Sequence, residues 1–222
     1  MKELLKVIMI IALCFATTFV IAKTTGFLSI EQIEGWLLQA KDAPPLTIAG
    51  IVVALLFLDL FITVPTLSLI MLSGYFLGLA YGVMASLTGL MIAGCSGYIL
   101  SYIFGNRILR FLVRDDEKRE DMKATFHKHG FAMILLSRAL PMLPEVTSCL
   151  SGSTRISFLK FISAWSISSI PYVMIAVYSG SISTLKNPTP AIFTAIGITS
   201  FLWFGWFLLH RSNKKYALKR SE

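Results

Sequence analysis

The sequence predicts an all-α integral membrane protein, and three observations predict it. Of 222 residues, 55% are hydrophobic and only 14% charged, with a mean hydropathy of +0.73, a balance that a water-exposed surface of this size does not tolerate. From Leu46 to Gly105 the only Asp, Glu, Lys, Arg or His is Asp59. The basic residues responsible for a net charge of +8 lie between and after the apolar runs, which is the positive-inside pattern of a membrane protein and not the basic face of a nucleic-acid binder.

The first element is Leu4 to Ala22, nineteen residues with one charge near the start. At 1.5 Å per residue this is about the length needed to cross a ~30 Å hydrocarbon core. Lys2 and Lys6 precede or begin the run, and no convincing small-residue cleavage site follows, so it is expected to remain as an anchor helix despite the lipoprotein-like Ala12-Leu13-Cys14. Ser29 with Gln32 makes a capping-box pattern. Ile30, Ile33 and Leu37 recur opposite Glu31 and Glu34, which predicts a short interfacial helix.

The run from Leu46 to Gly105 is long enough for two or three crossings and is split by Pro65, which removes a backbone donor and disfavours helix at Val64. Gly74, Gly78 and Gly82 then recur at four-residue spacing and predict a flat, close-packing seam. Ala85, Gly89, Ala93, Gly97 and Ser101 repeat the pattern within a span from Gly82 to Gly105. Arg107 to Lys128 holds seven Lys or Arg and five acidic residues, with Asp115 placed to cap a helix, and is expected on the cytoplasmic side. Phe131 to Leu150 is apolar but carries Arg138, Pro141, Pro144 and Glu145, which suits a broken, protein-buried segment better than a lipid-facing helix. Ile156 to Tyr178, interrupted by Pro171, and Ala191 to Leu209 are the remaining spans.

If the segment from Phe131 to Leu150 returns as a re-entrant hairpin, the N-terminus, the central basic segment, Arg155, Lys160 and the basic tail all face one side, as the charge bias favours. Around Pro65, one crossing and three have equal parity, so charge does not separate a hairpin from spans.

The sequence offers no Walker loop, nucleophile elbow, metalloprotease helix or dinucleotide fingerprint in a suitable context, so an enzyme is not expected, nor is a cofactor. Cys14, Cys95 and Cys149 lie apart in apolar stretches and suggest no disulfide or zinc site. His127 and His129 lack a third ligand nearby, so no metal is expected. What remains is Asp59, Arg138 and Glu145. A charge at mid-bilayer costs roughly 2.5 to 3.5 kcal/mol even on a lenient scale, so these residues are expected to face a polar cavity or one another, as a substrate or proton site or as an internal ion pair.

These residues carry a resemblance. Gly130-Phe131, the run from Ser137 through Arg138, Pro141 and Pro144 to Glu145, then Gly152, Phe158, Phe161, Pro171 and Gly180 resemble the DedA-like proteins that share the VTT, or SNARE-associated Golgi protein, domain. The upstream VPTLSLIMLSGYFLG, with Pro65, Gly74 and Gly78, is similar to that family's first re-entrant half. The resemblance spans about Asp59 to Gly180 and implies two opposed re-entrant helical hairpins in an inverted repeat, giving about four full spans in all. It further implies transport or scrambling of phospholipids or polyprenyl-phosphate lipids, with proton coupling in some members. Thr66 and Leu67 supply no second acid after Pro65, and positions 146–150 supply no second Arg, which departs from the carrier-lipid members.

The expected organisation is an anchor and interfacial helix over 1–45, the VTT-like membrane domain over 46–182, and a span with a basic tail over 183–222. Expected partners are membrane lipids, without nucleic acid; protons and a homo-oligomer are compatible. A proton-coupled carrier of a small ion or solute and a non-transporting scaffold are the alternatives. The expected location is a bacterial-type inner membrane, multi-pass, with both termini cytoplasmic.

Overall fold

The computed structural model describes residues 7–10, 13, 17, 35, 44–62, 64–112, 115–139, 143–183, 193, 194, 196, 197 and 200. Most of the expected N-terminal anchor, of the interfacial helix at 29–37 and of the C-terminal span and tail lies outside these residues, as does Pro141. Every regular element among the described residues is helical: α1 (Pro45–Leu58), α2 (Thr66–Leu112), α3 (Asp116–Leu136), a 3₁₀ turn (Ser137–Ala139), α4 (Leu143–Ser153) and α5 (Phe158–Ile182).

Pro45 opens α1 at a position where its missing N–H has no helical partner to lose. After Leu58 the chain turns through residues 59–62, and Pro65 accepts the first bond of the next helix through its carbonyl, from Leu69 N–H at 3.0 Å. Pro65 therefore marks a break, as its chemistry requires. The second break is at Gly78, whose φ of 72° and ψ of −178° leave helical space and divide α2 into limbs 66–77 and 79–112. No atom lies within 4 Å of a Cβ built there, so Gly78 is a hinge and not part of the contact seam expected from its spacing.

Across that hinge the chain doubles back. The Ser73 hydroxyl lies 2.8 Å from that of Ser86, residues that a straight helix would hold about 20 Å apart. Gly74 and Gly82 do form the seam: a Cβ at Gly74 would collide with the Val177 backbone, and one at Gly82 would press the Val177 side chain and the Ser73 carbonyl. Gly180 lets α5 touch the Met71 backbone, and Gly152 lets α4 touch the backbone of Tyr98 and Tyr102. Such approaches suit helices whose association rests on packing and not on water exclusion.

These contacts order the molecule along the limb 79–105. Val53 and Leu56 of α1 reach Gly89, Leu60 reaches Gly97, and the limb 66–77 returns toward Gly82. From the other end, Ser153 of α4 abuts Gly105, Gly152 abuts Tyr98 and Tyr102, and Ser148 reaches Gly97. Two helical hairpins thus approach from opposite ends, with their tips near Gly94 and Gly97. The element order repeats accordingly: helix, tip, short helix, hinge and long helix over 45–105, and again over 116–182. The hinges at Gly78 and Arg155 carry the two positive φ values among the described residues.

Asp115 caps α3 by accepting from the Glu117 and Lys118 N–H groups, and the helix runs on from the charged segment into the apolar one without the expected boundary near Phe131. Pro171 also departs from expectation: α5 continues through it from Phe158 to Ile182, giving up one backbone bond without breaking. Pro144 sits in the first turn of α4, so it starts a helix. Val7 packs with Met122, Phe126, Val146 and Leu150, tying the start of the chain to α3 and α4.

Among the described residues two stretches, Thr66–Gly105 and Phe158–Ile182, are long and apolar enough to cross a membrane, the first being broken at Gly78. Their outward faces carry Met84, Ile103, Leu159, Ile167, Met174 and Tyr178, each more than half exposed, a surface suited to lipid.

Candidate functional site

The two tips place Asp59, Arg138 and Glu145 around one small cavity of about 10 Å³, walled also by Leu60, Gly94, Ser148 and Trp165. That is room for about one water molecule. The three residues come from two hairpins that are remote in sequence, and the limb 79–105 passes beside them near its middle.

Asp59 is 4% exposed and anchors its own tip. Its Oδ1 accepts the Val64 N–H at 2.7 Å and its Oδ2 accepts the Thr66 hydroxyl at 2.6 Å. Pro65 has no N–H to offer, so the carboxylate satisfies the donors on either side of it. An Asn at this position can accept from Val64 through its oxygen and donate to Thr66 through its amide, so Asp59→Asn is expected to preserve the tip. Asp59→Ala leaves the buried Val64 N–H unpaired, at a cost of about 1–3 kcal/mol. Thermal stability of the two purified variants checks this; equal losses would mean that the bonds to Val64 and Thr66 do not hold the turn.

Arg138, on the 3₁₀ turn of the second tip, lies over two aromatic rings of α5, its guanidinium carbon 4.9 Å from the Trp165 centroid and 5.4 Å from that of Tyr172. One Nη donates to the Ser169 hydroxyl at 2.9 Å. Among the described residues its Nε is buried without a partner, and so is Oε2 of Glu145 in the first turn of α4. An anion at that end of the helix gains from the aligned peptide dipoles. The ion pairs formed among the described residues, Lys118 with Asp115, Arg119 with Asp116 and Lys123 with Glu120, all belong to the α3 region. Arg138 therefore makes no contact ion pair with Asp59 or Glu145, and the internal lock between hairpins that the sequence left open is not formed.

The surroundings are fixed by polar bonds to the limb 79–105. Trp165 Nε1 donates to the Leu90 carbonyl at 3.2 Å and the Ser148 hydroxyl to that of Gly94 at 2.8 Å. Trp165, Tyr172, Ser169 and Ser148 were not singled out by the sequence. A tryptophan in mid-span, away from the interfacial level where the residue is common, was the available signal. No cluster of three or more His, Cys, Asp or Glu forms a metal site among the described residues. His127 instead contacts the Thr154 carbonyl at 2.8 Å.

The VTT domain pattern matches residues 64–182, from the first tip to the end of α5. The chain is also similar to the uncharacterized protein YqeD of Bacillus subtilis (strain 168), 26% identical over 184 residues that cover 80% of this chain and 81% of that protein. No solved structure matches. With the match covering more than half of the chain, including both hinges, Arg138 and Glu145, this protein belongs to the VTT-domain family of membrane proteins.

Proposed function

We propose that the protein is a lipid transporter or scramblase that moves phosphate-headgroup lipids between leaflets. The observation that carries this reading is the pair of unpartnered buried atoms, Arg138 Nε and Glu145 Oε2, where the two tips meet. A buried donor and acceptor left open cost on the order of 1–3 kcal/mol each, so their retention points to a partner that comes and goes. Arg138 supplies a planar cation able to hold a phosphate, while Asp59 and Glu145 limit how tightly an anion is held. A lipid crosses slowly because its headgroup must leave water, and polar groups at mid-depth lower that cost.

The same reading makes both hairpins re-entrant. At 1.5 Å per residue, α1 spans about 21 Å, the limb 66–77 about 18 Å and α4 about 17 Å, all short of a ~30 Å core. The limb 79–105, at about 40 Å, and α5 cross fully. With the N-terminal and C-terminal spans added, both termini and the α3 region face the cytoplasm of a bacterial-type inner membrane, consistent with the basic segments.

A second reading, a proton-coupled carrier of a small ion, draws on the size of the cavity, which admits a water-sized species and no headgroup unless the tips part. Reconstitution separates the two. The purified protein in liposomes should bring inner-leaflet fluorescent phospholipid to external dithionite faster than empty liposomes, and Arg138→Ala should remove the gain. Wild-type lipid exchange no faster than that of Arg138→Ala, combined with solute uptake driven by a pH gradient, would give the carrier reading the field.

A further inference from the structure

We propose that Arg155 and the aromatic groove beside it form a docking site for the headgroup of an anionic glycerophospholipid at the membrane–water boundary. This rests on the membrane placement given above, but not on lipid movement through the central site.

The backbone supplies the first observation. Arg155 has φ 57°, with its N–H bonded to the Gly152 carbonyl at 3.0 Å and the Ile156 N–H bonded to that of Ser151 at 3.1 Å. This is a helix C-terminal motif whose left-handed residue is most often glycine. The matching hinge of the first repeat uses Gly78, at φ 72°. An arginine at the second hinge works against the local backbone preference, so its side chain has a use that the turn does not supply.

The side chain is arranged to receive an anion. Arg155 is exposed, and its guanidinium carbon stands 5.0 Å from the Tyr102 ring centroid. Its side chain forms no hydrogen bond or ion pair with any described residue. Stacking occupies the flat face of the guanidinium and leaves the N–H groups at its edge free for two phosphate oxygens.

Beneath it lies a groove of about 430 Å³ lined by Tyr98, Ile99, Tyr102, Ser157 and Phe158. The Tyr98 hydroxyl donates to the Ile156 carbonyl at 2.6 Å, fixing the rear wall. Ile99 is 50% exposed and Ile103 61%, an apolar bank suited to an acyl chain and of no use to a free phosphate ion.

The level in the membrane follows from the neighbours. Ser153, two residues before Arg155, abuts Gly105, after which the exposed Arg107 begins the charged segment; Lys160 is exposed in the first turn of α5. Two further cations at this level favour an anionic headgroup over a zwitterionic one. From Tyr102 the rings of Tyr98, Phe161 and Trp165 follow in contact to Arg138, so the groove and the central site share one continuous aromatic seam.

The test uses the full chain, purified in detergent, mixed with phosphatidylglycerol and phosphatidylcholine in equal amounts, with bound lipid read by native mass spectrometry. Wild type should retain phosphatidylglycerol preferentially, Arg155→Lys less of it, and Arg155→Gly on the order of tenfold less. Without added lipid, Arg155→Gly should be as heat-stable as wild type or more so, because glycine relaxes the turn. The same loss on Arg155→Gly should be seen in the Arg138→Ala background, so that lipid held at the central site is not counted with lipid docked at Arg155. Equal retention by Arg155→Gly would overturn the site. Displacement of the lipid by inorganic phosphate alone would make it a free-anion site and overturn the lipid assignment, and a marked loss of heat stability in Arg155→Gly would make Arg155 a structural residue.

Discussion

Arg138→Lys is expected to lose lipid exchange nearly as completely as Arg138→Ala, each falling on the order of 100-fold, the scale seen when a preorganised electrostatic partner is removed. Lysine keeps the charge, so the expectation depends on shape. The guanidinium lies over Trp165 and Tyr172 and donates to Ser169, which fixes its plane while Nε stays open. An ammonium can approach one of those rings but cannot contact both, bond Ser169 and present a second donor in one plane. Dithionite accessibility in liposomes gives the rate, and size-exclusion elution of each variant shows that it is folded. Exchange by Arg138→Lys within about threefold of wild type would show that a point charge suffices. In that case the phosphate-fork role would have to be abandoned, though not transport itself.

Asp59, Arg138 and Glu145 were legible in the sequence because a charge in an apolar run is costly and therefore conspicuous. Their convergence was not, since it depends on hairpins separated by some eighty residues meeting at their tips. Pro65 was legible as a break because a residue without an N–H cannot continue a helix. The same rule misleads at Pro171, where flanking turns in α5 carry the helix across one missing bond. Gly78 shows the opposite failure. Spacing places it on one face with Gly74 and Gly82, but the same residue type serves close contact and left-handed backbone alike, and periodicity does not distinguish the two. In the sequence Thr66 stands out only as a position without an acid, whereas its hydroxyl is the partner that holds Asp59. The Ser169, Trp165 and Tyr172 setting of Arg138 depends on how α5 rotates against the tip, which local sequence does not encode.

Gly180→Ala and Gly74→Ala are expected, with Gly152→Ala, to be among the most damaging of the alanine substitutions at glycine. A single methyl at Gly180 would meet the carbonyl oxygen and carbon of Met71, and one at Gly74 would meet those of Val177. Both obstacles are backbone, so no rotamer change relieves them and α5 must move away from the limb 66–77. Overpacking costs about 1–3 kcal/mol where side chains can yield, and more is expected where they cannot. The displacement would also travel, because Val173, Ala176 and Val177 share a buried cluster with Leu55, Leu56 and Leu69, the helices that hold the first tip. Gly50 provides the control, with no atom within 4 Å of a Cβ built there. Alanine at Gly50, inside α1, should leave stability unchanged or raise it by up to about 1 kcal/mol through its better helix propensity. Fluorescence-detected size exclusion after heating gives the ranking directly, with Gly180→Ala and Gly74→Ala melting well below wild type and Gly50→Ala at or above it. Near-wild-type melting of Gly180→Ala would mean that α5 does not pack backbone to backbone on the first hairpin, and the close seam that brings the two repeats together would have to be redrawn.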